Sequence, residues 1–223
     1  MTDTNTLAPP DFATARRHMI ESQLRPSDVS DPVVIAAMAV TPRENFVPAS
    51  QQALAYIDRA VPLAGGRVLN PALSSGLLLT RAELTGTERV LLIGAGTGYL
   101  AALLSGIVKS VVAVEADSAL VEHARISLTG AANVELVESA LADGHAAGAP
   151  YDLIIIDGAV EHVSDALVGQ LAETGRLLCG LNESGVSRLA MGRKRGTAFA
   201  LVPFADTDIA PLAAFARPKS YSF

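Results

Sequence analysis

Between residues 89 and 158 the sequence alternates short apolar runs with helical stretches. The runs are RVLLIG (89–94), SVVAVEAD (110–117), NVELVES (133–139) and YDLIIIDG (151–158), and between them lie YLAALLSGIV, SALVEHARISL and the shorter ALADGHAAG. Parallel strands need a long crossover to return to the same edge, and strands covered on both faces read as nearly continuous apolar runs. The alternation therefore predicts an α/β fold with a doubly wound, mostly parallel sheet. A helix near 164–172 and a strand over RLLCGL (176–181) extend it, and SRLAMGR, AFALVPF and LAAFARP read as antiparallel edge strands added at the C-terminal end.

Upstream the texture is helical. Residues 1–10 read as a flexible tail with no periodic apolar face. Helices are predicted from Ala13 to about Gln23, from the Asp31-Pro32 cap onward, and from Pro71 to about Leu84, followed by a polar hinge at Thr85-Gly86-Thr87-Glu88. The organisation expected is a tail (1–10), an N-terminal helical extension (11–84) and a Rossmann-like α/β domain (85–223).

Composition narrows the functional classes. Half of the 223 residues are apolar, only 4% are aromatic, and 17 basic against 23 acidic side chains leave a net charge of −6. Such a balance offers no general attraction to phosphate backbones or anionic membranes, so neither nucleic acid nor a membrane is expected as a partner. Cys179, the single cysteine, allows neither an intramolecular disulfide nor a cysteine metal cluster, and no metal is expected. The polar N-terminus lacks the order of a secretory signal and no apolar run reaches about 18 residues, so a cytoplasmic location is expected.

The chemistry-bearing stretch is VLLIGAGTGYLAALL. Gly94, Gly96 and Gly98 stand directly after a strand and before a helix, where glycine lets the backbone turn sharply and approach a ligand, and the helix start offers free amides. The next strand ends in Glu115, twenty-one positions after Gly94, where a carboxylate can accept both hydroxyls of a ribose. Read from Gly96, the same residues also satisfy the dinucleotide fingerprint of nicotinamide or flavin binding, with Glu115 nineteen positions on. The local pattern leaves both nucleotide readings open.

The wider sequence resembles the protein-L-isoaspartate O-methyltransferase family, a branch of the S-adenosylmethionine-dependent methyltransferases. The resemblance is carried by MIESQLRPSDVSDPVVIAAMAVTPRENFVP and AYIDRAVPL upstream, and by GTGYLAALL, VVAVEAD, NVELVE, APYDLIII and ALVGQLAETGRLL downstream, in order and nearly in spacing. A dehydrogenase would not share these flanking blocks. The resemblance implies a seven-stranded class I methyltransferase sheet, S-adenosyl-L-methionine as cofactor with S-adenosyl-L-homocysteine as product, and methyl transfer to the carboxylate of L-isoaspartyl residues in proteins or peptides. The other readings are a methyltransferase with a different, small-molecule acceptor and a non-catalytic module with the same fold. The positions it implies for the cofactor are Gly94, Ala95, Gly96, Thr97, Gly98, Tyr99, Glu115, Ala116, Ala140, Leu141 and Asp157. For the substrate they are Leu69, Asn70 and Pro71.

The sequence departs from the family pattern at three places. A Thr-Ile-Ser-x-Pro segment is replaced by Arg67-Val68-Leu69-Asn70-Pro71, which puts Leu69 where the family has a hydroxyl, with Arg67, Asn70, Ser74 and Ser75 as alternative donors. Leu92 stands for an acid before Ile-Gly. Ser139-Ala140-Leu141 stands for Gly-Asp-Gly, with Asp143 and Asp157 as nearby sources of polarity. Tyr99 is expected to pack near the cofactor. His162 and His145 are minor candidates for substrate contact, while His18, His123, Cys179 and Arg193-Lys194-Arg195 read as helix, core and solvated-turn residues.

Overall fold

A computed structural model describes residues 11–183 and 185–217, so the tail expected over 1–10 lies outside the described residues. Helix α1 (Phe12–Met19) is capped by Asp11, whose carboxylate accepts from Thr14 N–H, and runs into a π-turn over Ile20–Leu24. Helix α2 (Pro32–Val40) begins as its sequence dictates: Asp31 accepts from Val33 and Val34 N–H, and Pro32 occupies the first turn. A short hairpin, β1 (Val61–Pro62) and β2 (Val68–Leu69), precedes α3 (Ala72–Ala82).

The main sheet has seven strands: β3 (Arg89–Ile93), β4 (Ser110–Glu115), β5 (Val134–Glu138), β6 (Tyr151–Val160), β7 (Leu171–Glu183), β8 (Val186–Arg193) and β9 (Val202–Asp206). Their order is β5-β4-β3-β6-β7-β8-β9, parallel through β7 and antiparallel at β8 and β9. Helices α4 (Tyr99–Ser105), α5 (Ser118–Ser127) and α6 (Asp165–Gly169) supply crossovers. Residues alternate between two faces, as a period of two requires. Leu92, Ile155 and Leu178 join the N-terminal helices in one core, and Leu91, Ile154 and Leu177 lie in the other.

Three local expectations are corrected. ALADGHAAG is not a helix but two 3₁₀ turns, Leu141–Asp143 and Ala146–Gly148, because Gly144 turns at φ +60° and the Gln170 side chain clamps the loop, accepting from His145 N–H (2.9 Å) and donating to Asp143 O (2.8 Å). LAAFARP forms a 3₁₀ turn at Ala213–Phe215 instead of a strand. The segment 85–88 is braced. Glu88, 4% exposed, accepts from Thr85 N–H and Oγ1 (2.9 Å each) and Gly86 N–H (3.0 Å), and pairs with Arg176 of β7 (3.2 Å).

Burial pushes the Glu88 carboxyl up, but the bonds from Thr85 and Arg176 outweigh it and hold it below its usual range. A depressed folded-state pKa stabilises the fold above the unfolded value, and that stabilisation is lost as pH falls through the folded one. Glu88→Ala is expected to lose about 3 kcal/mol in urea unfolding at pH 7, the order of magnitude for stranding a buried partner. The difference from wild type should shrink as the pH falls below about 4.

Candidate functional site

Successive strands run outward from β3 through β4 to β5, and then β6 returns to the other side of β3. Such a switch point leaves a crevice beyond the carboxyl ends of the two strands, where open α/β sheets bind ligands. The rim on one side is the loop after β3. Gly94, Gly96 and Gly98 adopt φ of +78°, +55° and +96°, a region that a side chain would strain. Gly94 and Ala95 N–H both donate to Val114 O (2.9 and 3.0 Å), which staples the loop to β4.

Glu115 ends β4 beneath this loop with its side chain wholly buried. Its carboxylate accepts from Arg67 Nη1 at both oxygens (2.8 and 3.0 Å), from Gly96 N–H (2.7 Å), and from Ala116 and Asp117 N–H (2.8 and 3.2 Å). Arg67 Nη2 donates to Gly94 O (3.2 Å), so one guanidinium bridges the acid and the glycine loop. The acceptor capacity of Glu115 is thus filled from within the chain.

The opposite rim is Asp157 and Gly158 on β6, where the pairing with β7 shifts register between Ile155 and Ala159. Asn70 spans the gap. Its Oδ1 accepts from Ala210 N–H (2.9 Å), which fixes the amide orientation, and its Nδ2 donates to Asp157 Oδ1 (2.8 Å) and O (3.2 Å). Of the three substrate-side residues, Asn70 is therefore the polar one at the crevice, while Leu69 is 5% exposed and packs in the core. Pro71 leads into α3.

Several expected site residues serve packing. Thr97 donates its hydroxyl to Phe46 O (2.6 Å), tying the glycine loop to the N-terminal segment. Tyr99 is buried under Arg43, whose guanidinium lies 4.6 Å above its ring, and packs edge-on to Phe46. Leu92 is fully buried between β4 and β6, and Leu141 is buried in the core on the opposite face. Ala116, Ala140 and Asp143 are exposed. His162 is exposed, His145 O accepts from the Tyr151 hydroxyl (2.9 Å), and His123 Nε2 lies 3.1 Å from Asn45 O. Cys179 is core, its thiol pushed up to about 12 by burial. Arg193 pairs with Glu83 (2.7 Å) and Lys194 donates to Leu171 O (2.8 Å).

Two contributors were missed. Arg43 is completely buried, donating to Ala55 O (2.7 Å) and Asn70 O (2.5 Å), and so holds the segment before α3 in place. Nothing in its local sequence separates it from a surface arginine. Leu212 reaches the crevice from far along the chain: a Cβ placed at Gly94 would stand 3.3 Å from its Cδ1. Arg67 on Glu115 and Leu212 against Gly94 thus both lie over the glycine loop. The cradle underneath, left-handed glycines beside a strand-end carboxylate, has the donor and acceptor set that a ribose and an amino acid tail require.

Burial raises the Asp157 carboxyl above its usual range, against the opposing pull of Asn70, Arg67 and Arg43. A raised folded-state pKa gives stability that is complete below the unfolded value and lost as pH rises through the folded one, so the ionised form weighs against folding at neutral pH. Asp157→Asn keeps an acceptor for Asn70. It is expected to raise Tm at pH 7, by about 2–4 °C per kcal/mol relieved, with a gap over wild type that widens between pH 4 and pH 7. A gap independent of pH would contradict this account.

A sequence profile described as protein-L-isoaspartate(D-aspartate) O-methyltransferase matches residues 14–208. The protein-L-isoaspartate O-methyltransferase of Herpetosiphon aurantiacus is 33% identical over 199 residues, covering 88% of this chain and 89% of its own. That of Koribacter versatilis is 34% identical over 203 residues, covering 90% and 91%. A solved protein-L-isoaspartate O-methyltransferase superimposes with a TM-score of 0.78 at 26% identity, covering 89% of this chain and 66% of that one. A Plasmodium falciparum structure holding S-adenosyl-L-homocysteine shares the fold, with a TM-score of 0.76 at 17% identity over 92% of this chain and 100% of its own. By the span and identity of these matches, the chain belongs to the protein-L-isoaspartate(D-aspartate) O-methyltransferase family.

Proposed function

We propose that this protein is an S-adenosyl-L-methionine-dependent carboxyl O-methyltransferase acting on L-isoaspartyl residues of proteins or peptides. The observation that carries the reading is the pairing of the left-handed Gly94–Gly98 loop with Glu115 at the switch point, in a chain that matches the family almost end to end. When bound, the cofactor supplies a reactive sulfonium methyl group. The protein's own residues have a limited task, because a carboxylate acceptor with a pKa near 4 is already ionised at pH 7 and needs no general base. What remains is placement and exclusion of water. Gly94, Gly96 and Gly98 would shape the amino acid end of the pocket and Glu115 would hold the ribose once released from Arg67. Asn70 and Asp157 would form the polar wall towards the acceptor.

The burial of Leu69 favours a second reading, a methyltransferase with a different carboxylate or oxygen acceptor, since no hydroxyl stands at that position. A cytoplasmic location fits both, in keeping with a lone, buried thiol. Among the described residues no helix is long and apolar enough to cross a membrane.

Labelled methyl transfer from saturating S-adenosyl-L-methionine distinguishes the readings. The expected result is incorporation into an isoaspartyl peptide and none into the aspartyl peptide of the same sequence. Absence of transfer to the isoaspartyl peptide, with the cofactor demonstrably bound, moves the assignment to the second reading.

A further inference from the structure

Two segments outside the main sheet converge on the crevice. The β1–β2 hairpin arrives from one side. Its turn carries Gly65 at φ +61°, where a Cβ would collide with Asp117 Oδ2, so the hairpin turn lies directly on the N-cap residue of α5, two residues past Glu115. Leu63 Cδ1 lies 3.8 Å from the Cβ position of Gly96 and Arg67 Nη2 lies 3.1 Å from that of Gly94. The other cover is the segment 208–215 after β9. It is held by Ser74 Oγ donating to Asp208 O (2.5 Å), Ala210 N–H to Asn70 Oδ1 (2.9 Å), Ala159 N–H to Ala210 O (2.8 Å) and Leu212 N–H to Ala159 O (2.9 Å). Leu212 Cγ occupies the space a Cβ at Gly158 would need, and Gly158 is on the far rim.

We propose that Arg67 is an internal occupant of the ribose subsite and the residue that sets how tightly this protein holds a nucleoside cofactor. The inference rests on the cofactor reading above. A vicinal diol that binds a carboxylate donates one hydroxyl to each oxygen, and Arg67 Nη1 already reaches both oxygens of Glu115. Its bond is charge-assisted and therefore stronger than a hydroxyl's. The other three bonds to Glu115 come from backbone N–H groups and cannot be displaced without rebuilding the loop. Arg67 is the one donor that can leave. Its side chain is 18% exposed while that of Glu115 is 0% exposed, so Arg67 is the partner with access to solvent. Binding is then limited to the fraction of molecules in which Arg67 has swung out, and the apparent affinity falls by that fraction.

The position of Arg67 in the chain gives the occupant a second effect. It immediately precedes β2, which carries Leu69, and stands three residues before Asn70, which meets Asp157, so release of the guanidinium loosens the acceptor side of the crevice together with the ribose side. The ligand class selected is one that offers a neutral diol to Glu115 and can displace a cation from it.

The test is calorimetric titration of the full-length protein and of Arg67→Thr and Arg67→Gln with S-adenosyl-L-homocysteine, which requires no acceptor. Arg67→Gln retains a donor for Glu115 and guards against misfolding caused by an unpartnered buried carboxylate. Thermal melts of both variants without ligand identify the folded ones. Arg67→Thr is expected to bind at least tenfold tighter than wild type, a gain of about 1.4 kcal/mol, with Arg67→Gln in between. Affinity of folded Arg67→Thr that is weaker than wild type or raised less than threefold overturns the proposal, and if Arg67→Thr does not fold, affinity of Arg67→Gln no tighter than wild type overturns it. If wild type itself binds and the variants do not improve, the cofactor reading stands without the occupant. If neither wild type nor a variant binds at millimolar ligand, both fall.

Discussion

A fully buried carboxylate has to find its partners inside the protein, and Glu115 finds five hydrogen bonds from three parts of the chain. One comes from the glycine loop, two from the start of its own crossover, and the remaining two from Arg67 on a hairpin 48 residues upstream. Removing an ion of this size from water without compensation costs several kcal/mol. The loop conformation, the seating of the hairpin on α5 and the closure of the crevice therefore depend on one another through this side chain. Gly96 can donate to Glu115 only with the left-handed backbone that glycine permits, and Arg67 can bridge to Gly94 O only because Gly94 carries no side chain.

Asn70 plays the corresponding part on the acceptor side. Its amide joins Asp157 on β6 to Ala210 on the C-terminal segment, and its carbonyl receives Arg43. Two polar hubs thus close the crevice from its two rims, one charged and one neutral. Leu69 and Leu92 are ordinary core and Ala140 is a surface residue. Polarity at the crevice lies with Arg67 and Asn70, neighbours in the same short segment.

Much of the fold was legible because burial on both faces leaves a direct trace in sequence. The apolar runs at 89–94, 110–117 and 151–158 correspond to β3, β4 and β6, and the glycine triplet falls where a strand must turn into a helix. Misreadings came where a tertiary contact overrode local preference. ALADGHAAG has helical composition, but the Gln170 side chain takes its backbone groups, and LAAFARP is drawn into a turn by Phe215 entering the core. The polar stretch 85–88 looks like a hinge until Arg176, 88 residues from Glu88, is placed beside it.

By itself the sequence determined the α/β class, the switch-point crevice and the family, since each follows from periodicity, glycine placement and motif order along the chain. Tertiary structure alone decided what fills the crevice. Arg67 and Glu115 are both visible as charged residues in sequence, but their pairing is set by how a hairpin with no strong local signal folds back onto α5. Leu212 likewise reads as one more apolar residue until the segment that carries it is hydrogen-bonded across Ala159. Local sequence encodes which elements form, through backbone preference and periodic burial. Which long-range side chains meet in a shared cavity depends on packing geometry, and no short window of the chain contains it.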